Sequence, residues 1–377
     1  MMAVARAWEM DRRRGDVEMT PDGDRLRRGS DISFLKTTLL PRARRRIELS
    51  RRALTRELNL TWASMAEDQP FVNFGDALGP IVVSAISGRR LRKQPFVSGE
   101  TRLSSIGTIA QNFSGGTVRL WGSGLDAISP GLNVDEGGYH LPASTRFVVA
   151  ACRGRHTRRI LAENGVESPE VFGDPGWFAN RIWPEHARQE KIHDIGVVLH
   201  LTEWAERRPG AALKPQLRRY EVPEDLAGRI AFINPITRRS VDGVGEVVGA
   251  IGRCRRILST SLHGLVVAEA LGIPAFYFGA TTPLGPQEMR IADTRLMDHR
   301  MCDLYSILDR DTVPAFIWPR GRPLDWHQVL EWCDRQASIY DFDEAPLFEA
   351  FPFSRQVALG DERWPVREDF LVDGDFL

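Results

Sequence analysis

From about residue 71 the chain alternates short apolar runs with longer stretches that have helical periodicity. Apolar runs of about four to eight residues between turn residues are typical of buried strands, and apolar positions three or four apart indicate helices. Because strands that alternate with helices favour parallel sheets, we expect an α/β fold. The predicted strands are 103–106, 118–121, 147–150, 171–173, 195–199, 230–233, 257–258 and 275–278. The predicted helices are 76–87, 156–164, 243–254, 262–271 and 326–338.

A polar stretch at 183–191, interrupted by Pro184, divides this pattern into two parts. We therefore expect two α/β domains with a cleft between them, where ligands bind beyond the carboxyl ends of the strands. The chain is predicted to comprise a basic, partly disordered extension (1–60), an N-terminal domain (61–185), a C-terminal domain (186–340) and an acidic, aromatic tail (341–377) that packs on the outside.

Charge and cysteine usage narrow the class of protein. Lys and Arg together number 50, as do Asp and Glu, so the formal net charge is zero. No global field attracts nucleic acid, which we do not expect as a partner, and any anion site must be local. The 4 Cys form no CxxC pair, and the N-terminal residues are polar and Arg-rich, without an apolar signal or membrane span. We expect reduced thiols and a cytoplasmic protein.

The segment Arg42–Arg56 is strongly basic, with only a thin apolar stripe. One interpretation is a solvated helix face. The alternative is a peripheral contact with the anionic inner face of the plasma membrane, where each basic residue contributes about 1 kcal/mol.

The segment with the clearest candidate chemistry is 257–274, in which a buried strand is followed by Ser259, Ser261 and His263 and then by a helix. The hydroxyls can cap the helix, and its free N–H groups and dipole favour a phosphate or carboxylate. His263 then lies in the first turn, beside any bound anion. In the alternative interpretation the hydroxyls only cap and His263 satisfies a buried backbone carbonyl.

Two segments with glycine come earlier in the chain. In 73–79, Gly75 permits a tight turn and Asp76 either caps a helix or accepts a proton from a hydroxyl. In 120–125, Gly122 and Gly124 stand at a strand end, where they let a ligand approach the backbone, or they form a turn without a ligand.

Basic side chains follow two further strands. Arg153 and Arg158 lie at a strand-to-helix turn, where they bind phosphate or carboxylate or are simply solvated. His200 follows the strand 195–199 and either faces the cleft as an acid or base or is a half-buried loop residue.

Together and in this order, these segments resemble the polysaccharide pyruvyl transferase family, in particular the branch that decorates exopolysaccharides such as succinoglycan. The likeness covers about residues 71–307. The matching segments are NFGDAL (73–78), WGSGLD (121–126), RG…TR (153–158) with GDP (173–175), GVVLH (196–200), STSLHGLVVAEALGIP (259–274) and, more weakly, CDLYS (302–306).

The resemblance implies two Rossmann-like domains in a GT-B-like arrangement, with phosphoenolpyruvate as co-substrate in the cleft and with neither a cofactor nor a metal. In some members the last block reads RLHG, and its Arg and His hold or process phosphoenolpyruvate. Here Ser261 takes the Arg position, which leaves Arg153 and Arg158 as candidates to neutralise the phosphate. The catalytic residues predicted in this way are His263, as acid or phosphate partner, and Asp76, as base or sugar contact. The predicted substrate-binding residues are Asn73, Gly75, Gly122, Ser123, Gly124, Arg153, Arg158, His200, Ser259, Ser261, Leu262 and Gly264.

The activity implied is transfer of pyruvate from phosphoenolpyruvate, as a cyclic ketal, to a sugar of an exopolysaccharide or of its lipid-linked oligosaccharide precursor. This reaction needs a general acid, a base for the hydroxyl and cations for two anionic groups. The alternatives are a GT-B glycosyltransferase that uses a nucleotide sugar, and an inactive carbohydrate-binding relative.

Overall fold

A computed structural model describes residues 57–65, 70–129, 131–337, 340 and 342–372. The segment Arg42–Arg56, with its predicted membrane contact, lies outside the described residues. The predicted extension was wrong about its last residues, because 57–60 belong to a strand in which Leu58 and Leu60 are buried.

The first sheet has five parallel strands, which are β1 (Glu57–Thr61), β3 (Arg90–Lys93), β4 (Arg102–Ser104), β5 (Gly116–Trp121) and β8 (Thr145–Ala151). Their spatial order is β3-β1-β4-β5-β8. The central strands carry buried apolar residues, such as Leu103 in β4 and Leu120 in β5. Strands buried on both faces read as apolar runs rather than as strict alternation.

The second sheet has six strands, which are β9 (His193–Val198), β10 (Ile230–Ile233), β12 (Cys254–Ser259), β13 (Ala275–Gly279), β14 (Gly285–Arg290) and β15 (Thr312–Ile317). Their spatial order is β10-β9-β12-β13-β15-β14. All neighbouring pairs are parallel except β14 with β15.

Two short antiparallel ladders complete the described strands. β2 (Phe71–Asn73) pairs with β11 (Ile236–Arg238), and β6 (Val134–Asp135) pairs with β7 (Gly138–Tyr139). The first ladder matters for the site, because it fixes Asn73 opposite Ile236 at the start of the first helix.

The described helices lie between and around the strands. They are α1 (Phe74–Ser87), α2 (Arg155–Glu163), α3 (Ala179–Ile182), α4 (Val241–Gly252), α5 (Leu262–Ala270), α6 (His299–Tyr305), α7 (Trp326–Arg335) and α8 (Ala345–Glu349). Every residue of α1 except Asp76 is buried. A helix that is apolar all round belongs in a core. Asp76 is the single charged residue of α1.

The α/β class predicted from the sequence is confirmed, and each of the five predicted helices corresponds to an observed one. The strand predicted at 171–173 was wrong, because only Phe172 pairs there, in an isolated bridge with Cys152. The GT-B-like arrangement and the limits of the two domains stay predictions. Among the described residues, no helix combines the length and the apolar character needed to cross a membrane.

The prediction that the C-terminal tail packs on the outside was wrong, because this segment contributes to the core. Leu347, Phe348 and Trp364 are at most 3% exposed, and the indole N–H of Trp121 donates to the carbonyl of Leu347 at 2.8 Å. Because aromatic side chains bury large apolar areas, their burial determines where this segment lies despite its acidic residues.

Candidate functional site

A cavity of about 530 Å³ lies where strands of both sheets end. Its volume is in the range typical of small-molecule sites. Residues that follow β4, β5, β9 and β12 line it, together with the starts of α1 and α6. The lining residues are Ala63, Asn73, Asp76, Gly107, Thr108, Ile109, Gln111, Asp126, Ser129, His200, Leu201, Ser261, Leu262, His263, Asp298, His299 and Arg300.

Six of the predicted site residues lie together in this lining. They are Asn73, Asp76, His200, Ser261, Leu262 and His263. Asn73 is the cap of α1, because its side-chain oxygen accepts the N–H of Gly75 at 3.1 Å. Asp76 is therefore not needed as a cap, and its carboxyl group is available to the cavity.

The start of α5 places His263 in the cavity wall. The Ser259 hydroxyl donates to the carbonyls of Val198 and Ser261, and accepts the N–H of Ser261 at 3.0 Å. Ser261 is the N-terminal flanking residue of α5, but its side chain makes no capping hydrogen bond. The predicted hydroxyl cap is thus wrong for Ser261. Within the described part of the chain no side chain caps the first turn of α5, and uncapped N–H groups at a helix start favour an anion.

Gly75 allows the imidazole of His263 to approach α1. A Cβ atom at Gly75 would overlap the ring nitrogen Nδ1 and lie 2.9 Å from the Cβ of His263. On the other side of the ring, Nε2 is 3.8 Å from Oδ2 of Asp174. Within the described part of the chain, neither of these two atoms has a hydrogen-bond partner. His263 Nε2 therefore does not satisfy a backbone carbonyl, as the alternative interpretation of the sequence supposed.

Burial, together with smaller effects of the Arg153 and Arg300 charges, lowers the pKa of His263 to about 3. Burial raises the pKa of Asp174 to about 6. At neutral pH the His263 ring is consequently neutral, so it can donate one hydrogen bond but carries no positive charge.

The carboxyl group of Asp76, in contrast to the His263 ring, has a pKa near neutral pH. Burial raises this pKa to about 7, against a smaller opposing effect of the Arg300 charge. A carboxyl group with this pKa is protonated in a large fraction of molecules at neutral pH, and it is matched to proton transfer near that pH.

Arg300 is the cation of the cavity, and the sequence did not predict its role. It lies in the first turn of α6 and is paired with Asp298, whose Oδ2 accepts from Nη2 at 2.7 Å and whose Oδ1 accepts from Nε at 3.0 Å. This pairing fixes the guanidinium group while 28% of the side chain stays exposed. Burial raises the pKa of Asp298, but the bonds and charge of Arg300 outweigh this effect and bring it down to about 2.

His299 and Asp126 form a second unpredicted pair in the lining. Nε2 of His299 lies 2.9 Å from Oδ2 of Asp126, and Nδ1 lies 3.7 Å from Oδ1 of Asp298. Burial raises the pKa of Asp126, but the adjacent His299 ring and the hydrogen bonds from Ser129 and Ile128 outweigh this effect, so the pKa lies well below its ordinary value. Asp126 is thus ionised at neutral pH.

His200 is held at the edge of the cavity. Its backbone N–H donates to the hydroxyl of Thr260 at 2.7 Å, and its ring Nδ1 accepts the N–H of Thr202 at 3.4 Å. Burial and the Arg300 charge lower the pKa of His200. The ring is neutral at pH 7, with its proton on Nε2, because Nδ1 is the acceptor.

The two predicted arginines do not line the cavity, which corrects their predicted role as an anion clamp. Arg153 is fully buried and its Nε donates to Oδ2 of Asp303 at 3.0 Å. Its charge is therefore already neutralised. Arg158 is 40% exposed, pairs with Glu170 at 3.1 Å, and lies in a separate surface depression beside Arg155.

The remaining predicted residues pack behind the lining. Gly122 has φ +86, a left-handed conformation that favours glycine. A Cβ at Gly124 would overlap the Arg153 guanidinium group, and one at Gly264 would approach Val198 within 2.7 Å. The Ser123 hydroxyl is buried, 2.5 Å from that of Ser104. These residues shape the site without facing it.

The unpredicted lining residues stand next to segments that the sequence did single out. Asp126 ends the WGSGLD segment, and Arg300 precedes Asp303 of the CDLYS segment by three residues. Asp303 is itself the partner of Arg153 and also accepts the hydroxyl of Thr157 at 2.7 Å. The short helix α6 has no strong apolar periodicity, so the pattern did not reveal it. Among the described residues, no group of three or more His, Cys, Asp or Glu side chains is placed to hold a metal ion.

A cavity at strand ends that holds an arginine, a carboxyl group of raised pKa and neutral imidazoles has the features of a candidate active site. Residues 109–281, a little under half of the chain, match the sequence model of the polysaccharide pyruvyl transferase family. This match supports the family that the sequence resembles. No curated protein and no solved structure matches the chain.

The match supports a transferase with a role in pyruvyl transfer to polysaccharide, and thus a sugar acceptor. The succinoglycan-type branch stays a prediction.

Proposed function

We propose that this protein transfers pyruvate from phosphoenolpyruvate to two hydroxyls of one sugar residue and forms a cyclic ketal. The acceptor is an exopolysaccharide or its lipid-linked precursor. The observation that carries the proposal is one cavity that holds a fixed cation, Arg300, and a carboxyl group of raised pKa, Asp76. The reaction requires both kinds of group.

The donor has two anionic groups, and two features of the cavity suit them. Arg300 presents a guanidinium group whose orientation is set by Asp298, and guanidinium forks bind phosphate and carboxylate well. The first turn of α5, at Ser261 and Leu262, offers uncapped N–H groups. Arg300 thus takes the charge-neutralising role for which the sequence suggested Arg153 and Arg158.

The proton for C3 of the donor comes from Asp76 in this proposal, rather than from His263. A ring with a pKa of about 3 holds no transferable second proton at neutral pH. Asp76, with a pKa of about 7, does hold a proton, and a bound anion raises that pKa further. His263 then serves as a neutral hydrogen-bond donor to the phosphate or carboxylate.

The chemistry follows from the polarity of the enol phosphate. Protonation at C3 makes C2 electrophilic, and a sugar hydroxyl adds there. The C2–O bond to phosphate then breaks, and the neighbouring hydroxyl closes the ketal. Because Arg300 and the helix start carry the charge that develops on the phosphate, the proposal needs neither a metal nor another cofactor.

The proposed site within the cell is the cytoplasm, where phosphoenolpyruvate is available. A peripheral contact through Arg42–Arg56 would bring a lipid-linked acceptor to the site, and this contact stays a prediction.

Purified protein incubated with phosphoenolpyruvate and sugar acceptors tests the proposal. We expect release of inorganic phosphate together with an acceptor whose mass has increased by that of a pyruvyl ketal. Parallel reactions with nucleotide sugars test the glycosyltransferase alternative, and turnover of those donors alone would contradict the proposal. Phosphoenolpyruvate should also raise the melting temperature more than sulfate at equal concentration, because it fills the folded cavity.

A further inference from the structure

His299 lies between two carboxylates in the cavity wall. Oδ1 of Asp126 accepts the N–H groups of Ile128 at 2.8 Å and Ser129 at 3.0 Å. These bonds fix the carboxylate so that Oδ2 is 2.9 Å from His299 Nε2. Nε2 makes no hydrogen bond among the described residues, so His299 and Asp126 are in ion-pair contact only.

The other ring nitrogen is free to accept a proton. Nδ1 of His299 is 3.7 Å from Oδ1 of Asp298, beyond hydrogen-bond length. That carboxylate is already engaged by Arg300. If Nδ1 takes up a proton, Asp126 and Asp298 both stabilise the imidazolium that forms.

The proposed mechanism still lacks a base for the acceptor hydroxyl, and this pair lies in the cavity where one is needed. His299 and Asp126 line the same cavity as Asp76 and Arg300. Asp76 serves as the acid, while His263 and His200 have lowered pKa values that make them weak bases. We propose that His299, which lies between Asp126 and Asp298, takes the proton of the first acceptor hydroxyl. This inference deepens the proposed function and rests on it.

The proton balance of the reaction closes with these two groups. As the first sugar oxygen bonds to C2, its proton goes to Nδ1 of His299 and the proton of Asp76 goes to C3. The C2–O bond to phosphate then breaks with its electron pair on the phosphate oxygen, which receives the proton from His299. When the second hydroxyl adds to C2, its proton goes to Asp76. Both groups return to their starting states, and the products are the ketal and hydrogen phosphate.

The first test is kinetic and uses phosphoenolpyruvate with a panel of p-nitrophenyl glycosides as acceptors. His299→Gln should lower kcat about 100-fold or more, the range of general base catalysis, with unchanged affinity for phosphoenolpyruvate. Asp126→Asn should cause a smaller loss of kcat. His140→Gln is the matched control, because it removes an exposed His–Asp pair with a separation of 3.0 Å, and it should match the wild type.

The split between turnover and binding separates a proton-transfer role from a structural one, because a base acts on the chemical step and not on the affinity for the donor. A normal kcat in His299→Gln, or weakened phosphoenolpyruvate binding with a normal kcat, would overturn the proposal.

The second test needs no acceptor. Thermal unfolding of His299→Gln should match that of the wild type, so that any loss of turnover is not a loss of folding. Failure of the proposed function gives a different result from failure of this inference. If the wild type consumes no phosphoenolpyruvate with any acceptor, the proposed function fails, whereas equal turnover by an active wild type and His299→Gln contradicts only the role of His299.

Discussion

Replacing Gly75 by Ala tests whether the approach of His263 to α1 matters for activity. Gly75 is the second residue of α1, and alanine is the better helix former there by about 1 kcal/mol. The added methyl group would, however, overlap Nδ1 of the His263 ring and lie 2.6 Å from its Cγ. The ring must therefore turn away from its place in the cavity wall.

Two opposing effects set the size of the stability change. Overpacking in a buried site costs about 1–3 kcal/mol, and the gain in helix propensity offsets about 1 kcal/mol of that cost. We expect the Gly75→Ala variant to fold, with a free energy of unfolding lowered by at most about 2 kcal/mol. Turnover should fall much further, about 100-fold, because a displacement of about 1 Å in a positioned group has that effect.

Gly79→Ala is the matched control on the same helix. A Cβ atom at Gly79 would lie 3.3 Å from the hydroxyl of Ser105 and 3.6 Å from Cβ of Ile106, which requires only a small adjustment. Denaturant unfolding and phosphate release from phosphoenolpyruvate should be measured for both variants. If Gly75→Ala folds and turns over as fast as Gly79→Ala, the position of His263 has no part in the reaction.

Three further substitutions test the charges of the site. Arg300→Gln should weaken phosphoenolpyruvate binding in calorimetry by about 1.5–3 kcal/mol, the value of a hydrogen bond to a charged group. Arg295→Gln is the control, because Arg295 is exposed and pairs in the same way with an aspartate two residues earlier. Equal affinities of the two variants would show that Arg300 does not belong to the anion site. Asp303→Asn should lower the free energy of unfolding by about 3–5 kcal/mol, because it leaves Arg153 buried without its counter-charge, and a loss below about 1 kcal/mol in urea unfolding would contradict a buried pair. Because the pKa of Asp76 is raised from 3.8 to about 7 in the folded state, the folded state holds this proton more tightly, and the free energy of unfolding should fall as pH rises through that window and then level off. Asp76→Asn should remove this part of the pH dependence, along with the loss of turnover above about pH 7 that deprotonation of the acid causes, and an unchanged pH profile would show that Asp76 is not the acid.

The sequence predicted the elements that have strong periodicity and the site residues that follow them. His263, Asp76 and His200 stand at the ends or starts of such elements, and they do lie together in one cavity. The sequence could not place residues that reach the cavity from a long segment between β14 and β15, where Arg300 and His299 lie on a helix of only seven residues.

The prediction that Arg153 and Arg158 bind the anion rested on their charge alone, and the structure does not place them in the cavity. Arg153 and Arg158 are close in sequence and equally basic, yet one is buried against Asp303 and the other is exposed beside Glu170. Their separation depends on which face of the strand-to-helix turn meets α6, and this is a matter of tertiary packing. The tail was misjudged for a similar reason, because its acidic residues obscured aromatic side chains that pack around Trp121 and Phe178.

The central claim is that the protein forms a pyruvate ketal from phosphoenolpyruvate. The most direct measurement uses phosphoenolpyruvate labelled with carbon-13 at C2, with an acceptor polysaccharide extracted from cells that lack this protein. The account predicts that the label appears at a quaternary ketal carbon of the polysaccharide in carbon NMR, with one phosphate released per ketal, and that Asp76→Asn and Arg300→Gln reduce this signal. Label that remains in phosphoenolpyruvate or appears only in free pyruvate, with fully folded protein present, would contradict it.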